Sequence, residues 1–368
     1  MNGSALRVRQ AASLMHDWAM PGTAIAQWTH FVTSACNAKC RHCFYPINQR
    51  SNELSLEEIE RFLPSVPPIR LLLFSGGEPF LRKDLPEIIR AYYDHCRFYT
   101  TSIPTNGYSA ARIRPMIERI CAISPDLHLG VTVSIDGMAD FHDRVRQVPR
   151  LWENAIDTVR MVIDLAGRFP NLTAGVNTVF MRENQSELEP LCHYIYDEVR
   201  PTSHTLIYIR GKPVDGTLAE GLDVDRYVEL SKWLDERYTS DTSWDAGWRG
   251  VRARVRHELN RQRYEYIARQ VRGGAFESLC LAGEREFVVS ETGDVYGCEL
   301  IGDKLGNIRD AGYDFARIRD GAAAQAFADA KRARKCTCTH ECNTRTMLLF
   351  DRRKAIPVIA AALGVKGS

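Results

Sequence analysis

Between residues 23 and 211 the apolar positions follow two alternating rhythms. Short runs rich in β-branched and aromatic residues give way to stretches with the three-to-four-residue spacing of amphipathic helices. TAIAQWTHFVTSA (23–35), RLLLFSGGE (70–78), FYTTSIPTNG (98–107), LHLGVTVSIDG (127–137), NLTAGVNTVF (171–180) and SHTLIYIRG (203–211) predict six strands. Between them, helices are predicted over 55–66, 84–97, 109–123, about 150–168 and about 185–198. The first opens with a Ser cap and Glu in its first turn, and Asp84 is placed to cap the second.

Strands separated by helices imply parallel pairing through crossover connections. Nearly continuous apolar strands such as LLLF and LIYI suit a covered sheet. Six such units are too few for the usual eight-stranded closed barrel. The expectation is an α/β fold: a partial, open-sided (β/α)6 barrel, favoured over a doubly wound sheet. The rest divides into an N-terminal extension (1–22), a helical linker region (212–275), a small cysteine-rich α+β region (276–345) and a tail (346–368).

Composition narrows the function classes. The 368 residues are 45% hydrophobic and 26% charged, with a net charge of +2. That balance gives no reason to expect a nucleic-acid partner. No apolar run reaches the length of about 18 residues that a transmembrane helix needs, and the first 18 residues lack a signal-peptide core. The chain reads as cytoplasmic, where clustered cysteines bind metal or do chemistry more often than they pair. Of eleven cysteines, Cys96, Cys121 and Cys192 sit singly in helix-like stretches and read as buried small hydrophobes. The other eight are grouped: Cys36, Cys40 and Cys43, then Cys280, Cys298, Cys336, Cys338 and Cys342.

The chemistry of parallel barrels gathers at the C-terminal ends of the strands. CNAKCRHC (36–43) follows the first predicted strand, GGEP (76–79) the second, TNG (105–107) the third, and SIDG (134–137) ends the fourth. Three thiolates on one loop suit either zinc, with His42 as an outside ligand, or a [4Fe–4S] cluster. The cluster is the better reading, because three cysteines leave one iron open to a small molecule. Asp136 and Gly137 read as a strand-ending turn, and HDRVR (142–146) as a solvated helix start.

The C-x3-C-x2-C loop followed by GGEP resembles the radical S-adenosylmethionine (SAM) enzymes, over about residues 23–211. The resemblance implies that Cys36, Cys40 and Cys43 hold a [4Fe–4S] cluster whose open iron takes the amino and carboxylate groups of SAM. An electron then cleaves SAM to methionine and a 5′-deoxyadenosyl radical, which removes hydrogen from substrate. His42 stands where the family often has an aromatic residue near the adenine. Gly76, Gly77, Glu78 and Pro79 form the segment that meets the SAM amino group. Ser134 and Asn177 are implied to bind the SAM ribose or carboxylate.

In the C-terminal region, REFVVSETGDVYGCE reads as a hairpin turning at ETGD. The spacing C-x12-G-x4-C from Cys280 through Gly293 to Cys298 resembles the SPASM and Twitch extensions of radical SAM enzymes, which hold auxiliary [4Fe–4S] clusters. Five cysteines suit one Twitch-like cluster. Cys280, Cys298, Cys338 and Cys342 are the favoured ligands, with Cys336 the fifth candidate and structural zinc the alternative. Such a cluster would take an electron from a substrate radical, hold the substrate or feed electrons in, and Glu299, next to Cys298, is the candidate catalytic base. An exposed hairpin Glu is the plainer reading.

Residues 246–274 carry eight arginines, which suit a solvated helix face or a phosphate-bearing substrate. The tail reads as a docked terminal helix, with a membrane or lipid contact as the alternative. The expected substrate is a small molecule or a peptide, and the expected electron donor a flavodoxin or ferredoxin. The outcome is oxidation, epimerisation or cross-linking. Because 35 residues precede Cys36, too few for a leader-peptide-binding domain, the sequence leans toward the small molecule.

Overall fold

Every residue of β1 (Ile25–Phe31) is buried, as expected of a strand with a neighbour on each side and cover on both faces. The computed structural model describes residues 24–48, 52–243, 248–274, 280–333, 338–351, 356–358 and 360. The expected 1–22 extension and Cys336 lie outside the described residues, as does most of the tail.

Five β/α crossovers follow β1. In order they are α1 (Leu56–Phe62), β2 (Ile69–Ser75), α2 (Leu85–Cys96), β3 (Thr100–Thr105), α3 (Ala110–Cys121) and β4 (His128–Ser134). Then come α4 (Ala139–Arg146), α5 (Leu151–Arg168), β5 (Leu172–Phe180), α6 (Leu188–Tyr194) and β6 (Ser203–Tyr208). All five pairings from β1 to β6 are parallel, and the ladder is open at β6. This is the partial barrel expected from the sequence.

Three local expectations needed correction. The first strand ends at Phe31 rather than residue 35, because Thr33 to Ala35 turn away to meet the next strand's loop. Asp84 does not cap α2 through its side chain; its carboxylate takes the Arg82 guanidinium instead, at 2.6 Å. The helix expected over 185–198 is α-helical only to Tyr194 and closes in a π turn (Ile195–Val199).

The core is centred on Trp28, fully buried, with Phe315 edge-on at 4.8 Å and its indole N–H donated to Tyr92 Oη at 3.0 Å. Cys96, Cys121 and Cys192 are buried among apolar neighbours, as read from the sequence.

Two long helices, α7 (Val224–Ser243) and α8 (Trp248–Val271), pack on each other beyond β6. The expected hairpin then forms from β7 (Glu286–Val289) and β8 (Asp294–Tyr296), and β9 (Lys304–Asn307) extends it. Strand β7 pairs parallel to β1, so one nine-stranded sheet runs through both halves of the chain. Helices α9 (Phe315–Arg319), α10 (Ala322–Ala333) and α11 (Glu341–Phe350) follow among the described residues. Helix α11 is tied to β1 by Gln27, which donates to Asn343 Oδ1 and accepts from Thr346 Oγ1.

Arg309, just after β9, forks onto the Glu58 carboxylate of α1 at 2.6 and 2.7 Å. These bonds pull Glu58 from 4.5 down to about 2. Stability from this pair is therefore complete above pH 4.5 and is lost as pH falls toward 2. The pair is partly exposed, so Glu58→Gln should cost only about 1 kcal/mol at pH 7. Urea unfolding in a double-mutant cycle with Arg309→Ala checks this, and additive losses would show that the two halves are held together by other contacts.

Candidate functional site

The loop carrying Cys36, Cys40 and Cys43 has no ladder of its own and is pinned from several sides. Gly77 N–H donates to Thr33 O and Glu78 N–H to Ala35 O, both at 2.8 Å. On the other side, Lys39 N–H and Arg41 N–H donate to the carbonyls of Arg146 and Val145 at the end of α4. Asn48 holds Cys36 by two bonds, accepting from its N–H and donating to its carbonyl. Beyond the loop, Val214 N–H and Asp215 N–H donate to Cys43 O and Arg41 O.

This explains the two glycines. A Cβ on Gly77 would lie 2.2 Å from Ala35 O, and one on Gly76 equally close to Thr33 O. Gly76 also has a φ of +137°, which side chains disfavour. The close approach they permit here is to the cysteine loop's own backbone, while Gly77 also lines the cavity. Glu78 is buried and accepts from Asn106 N–H at 2.7 Å and Thr105 Oγ1 at 2.9 Å. Burial raises its pKa to about 6, against the pull of these bonds. Asn106 in turn donates to Asn37 Oδ1 in the loop at 2.7 Å. The GGEP turn and the TNG turn therefore form one clamp.

A cavity of about 200 Å³ opens at this mouth. Cys36, Cys40, His42, Cys43, Gly77, Glu78, Pro79 and Ser134 all line it. Gly76 packs behind the wall. Asn177, register partner of Ser134, is turned to Thr132 Oγ1 at 3.2 Å and is not among the lining residues.

Two further residues belong here that the sequence reading set aside. Asp136 is fully buried, and its carboxylate accepts from Val179 N–H and from Arg146 at 2.7 and 2.8 Å. Burial would raise its pKa, but the Arg146 and histidine charges hold it down to about 2. Arg146 is buried, lines the cavity and reaches within 3.9 Å of Cys40 Sγ. HDRVR is therefore not a solvated helix start: Phe141, His142, Val145 and Arg146 form one buried stripe of α4. That i, i+1, i+4, i+5 stripe, with Phe and Val flanking the polar pair, was the missed signal. His42 Nε2 lies 3.5 Å from Asp136, and burial lowers its pKa to about 4, so the ring is neutral near pH 7.

The donor set fits a metal cluster chemically. Burial raises all three thiols, Cys40 to about 12, and Arg146 is a positive charge that opposes the rise. Bound iron would supply the charge that keeps such sulfurs as thiolates. Among the described residues, no three His, Cys, Asp or Glu side chains close on a single ion.

The segments that carry Cys298, Cys338 and Cys342 meet at one buried network of charged side chains. Glu299, beside Cys298, takes Arg210 at 2.9 Å and His340 Nε2 at 2.5 Å. His340 stands between Cys338 and Cys342, and Arg210 also reaches Glu341 at 3.3 Å. Cys298 is buried and its thiol is raised to about 12. Cys280 packs against the same core. Glu299 is not an exposed hairpin residue. Burial would raise its pKa, yet His340 and Arg210 hold it down to about 2. Its carboxylate is not among the groups lining the cavity but holds Arg210, which is.

Gly77→Ala should displace the cysteine loop while leaving the barrel folded. The expected result is loss of about four irons per chain in reconstituted protein, with unchanged far-ultraviolet circular dichroism. Full iron retention would show that the loop tolerates the shift.

Residues 31–195 match the family model described as the radical SAM superfamily. The chain is 24% identical to an AdoMet-dependent heme synthase of Oleidesulfovibrio alaskensis over 300 residues, 79% of this chain and 73% of that protein. It is 28% identical to a GTP 3′,8-cyclase of Paracoccus denitrificans, over 56% of this chain and 59% of that one. Among solved structures, Streptococcus suis SuiB superposes with a TM-score of 0.57 at 13% identity, covering 87% of this chain and 71% of that one. The structure of anSMEcpe with bound AdoMet gives 0.55 at 17% identity, covering 93% and 96%. Among the described residues no helix is long and apolar enough to cross a membrane. With the cysteine loop, the clamp and the partial barrel in place, residues 31–195 form a radical SAM domain, of the superfamily whose enzymes use a [4Fe–4S] cluster and S-adenosylmethionine.

Proposed function

We propose that this chain oxidises a small organic substrate by hydrogen abstraction at the barrel mouth, assisted by an auxiliary [4Fe–4S] cluster on its C-terminal cysteines. The observation that carries the reading is the single cavity that collects Cys36, Cys40, Cys43, Glu78, Ser134, Arg146 and Arg210. Cys36, Cys40 and Cys43 would hold the cluster, and with SAM bound it would supply one-electron chemistry able to remove a hydrogen atom from substrate.

The chain's own residues fix where that happens. Gly77, Glu78 and Asn106 hold the cysteine loop, and Asp136 fixes Arg146 beside Cys40. Ser134 and His42 are the wall residues offered to SAM. Arg210, kept in place by Glu299 and Glu341, forms the wall toward the C-terminal cysteines. Cys280, Cys298, Cys338 and Cys342 are the proposed ligands of the auxiliary cluster. The cluster they would hold would supply a one-electron acceptor beside the cavity, so that loss of a hydrogen atom, then of one electron and one proton, would make up a two-electron oxidation of the substrate. A flavodoxin or ferredoxin supplies the first electron.

The small-molecule reading is supported by the heme synthase relative, matched over most of both chains. Peptide maturation is the alternative: it predicts turnover only with a peptide present.

Two measurements test this. Wild-type protein reconstituted without oxygen should hold about eight irons per chain, and the Cys36/Cys40/Cys43→Ala variant about four. About four in wild type and almost none in the variant would remove the auxiliary cluster. With a reductant, wild type should release 5′-deoxyadenosine and methionine in equal amounts. Cys40→Ala should release neither, while Cys298→Ala should still cleave SAM but give no oxidised product.

A further inference from the structure

A second cavity, of about 120 Å³, lies at the opposite end of β6 from the catalytic mouth. That is several times the space one water needs. Ser203 to Leu206 form one wall, and side chains of α7, α8 and α11 form the others. Three guanidinium groups line it: Arg256, Arg263 and Arg345. Two of these come from the arginine-rich stretch that the sequence left open, so those two serve a cavity rather than a solvated face.

The charges in this cavity do not balance. Asp235 is the carboxylate in its wall, and it is already taken by His257 at 2.5 Å and Asn260 at 2.9 Å. Arg256 donates to a carbonyl, that of Tyr238. Among the described residues, neither Arg263 nor Arg345 forms an ion pair, and Arg263 Nε is buried without a hydrogen-bond partner. Glu341 feels the charge of Arg263, but its carboxylate is bonded to Tyr208 N–H and Arg210. Arg345 is an exposed residue that lines the cavity together with Arg263 and Arg256. Like charges crowded this way call for an anion between them.

The wall also holds an independent acceptor. His204 is 95% buried, being 5% exposed, and its Nδ1 has no partner. Thr178 Oγ1 donates to Ile135 O, so it accepts from His204 Nε2–H at 2.8 Å. That fixes the neutral tautomer with a bare lone pair on Nδ1. A fitting ligand therefore offers oxygens to guanidinium groups and a hydroxyl to an imidazole nitrogen. Hydrogen phosphate does both.

We propose that this cavity is a phosphate-binding site, formed by Arg256, Arg263, Arg345 and His204 and separate from the catalytic mouth. Arg345 lies one helical turn from Cys342, so an occupied site also steadies the helix that carries a proposed auxiliary-cluster ligand. The ligand is either free phosphate or a small phosphomonoester.

The test is isothermal titration of the reconstituted full-length protein with inorganic phosphate at fixed ionic strength, with SAM present at saturation. One saturable site is expected, weakened at least about tenfold by Arg345→Gln and by Arg263→Gln. Arg345→Lys, which keeps the charge, should weaken it less, and serves if the Gln variant fails to fold. Glycerol 3-phosphate, titrated in parallel, separates the sources: tighter binding than inorganic phosphate identifies a carried phosphate, weaker binding a free one. Absence of saturable binding in wild type, equal affinity in every variant, or binding of acetate in place of phosphate would overturn the proposal.

Discussion

A loop that must present three thiols to one cavity cannot also hold itself in shape. Its backbone groups find partners elsewhere, and the two short bonds from Gly77 N–H and Glu78 N–H to the Thr33 and Ala35 carbonyls are what the rest of the site depends on. They are possible only because residues 76 and 77 lack a Cβ. They connect the loop after β1 to the loop after β2, while Glu78 reaches on to the loop after β3. Three successive strand ends are thereby locked into one mouth, at the edge where parallel barrels do their chemistry.

The electrostatics follow from the same packing. Placing α4 against the cysteine loop buries Arg146 beside Cys40, which requires a buried counter-charge, and Asp136 provides it. Breaking such a pair strands a charge in the interior, so the strand end, helix and thiol loop stand or fall together. On the far side, Arg210 carries a comparable burden. Glu299 and Glu341 hold it between the cavity and the C-terminal cysteines. The continuous sheet from β6 to β9 is the scaffold that lets residues some 90 positions apart meet in this way.

What the sequence disclosed follows physical lines. Alternating strand and helix patterns fixed the parallel order, because burial on both faces leaves a clear apolar signature. The three cysteines and GGEP were legible because their spacing is local. Asp136, Arg146 and Arg210 were not, because a charged residue reads as exposed until a partner distant in sequence is found for it. Glu299 shows the same limit: its neighbour Cys298 marked the region, but only the fold brings Arg210 and His340 to its carboxylate. The glycines stood out for close approach, and the fold adds a second approached group, the backbone of the cysteine loop itself.

The central claim is that the clamped loop holds a cluster with an iron open to SAM. Electron paramagnetic resonance of the reduced protein, recorded with and without SAM, tests it most directly, using a variant that keeps only the Cys36, Cys40 and Cys43 group. The account predicts a [4Fe–4S] signal whose shape changes when SAM is added. A signal that SAM leaves unchanged, or no cluster signal at all, would contradict it.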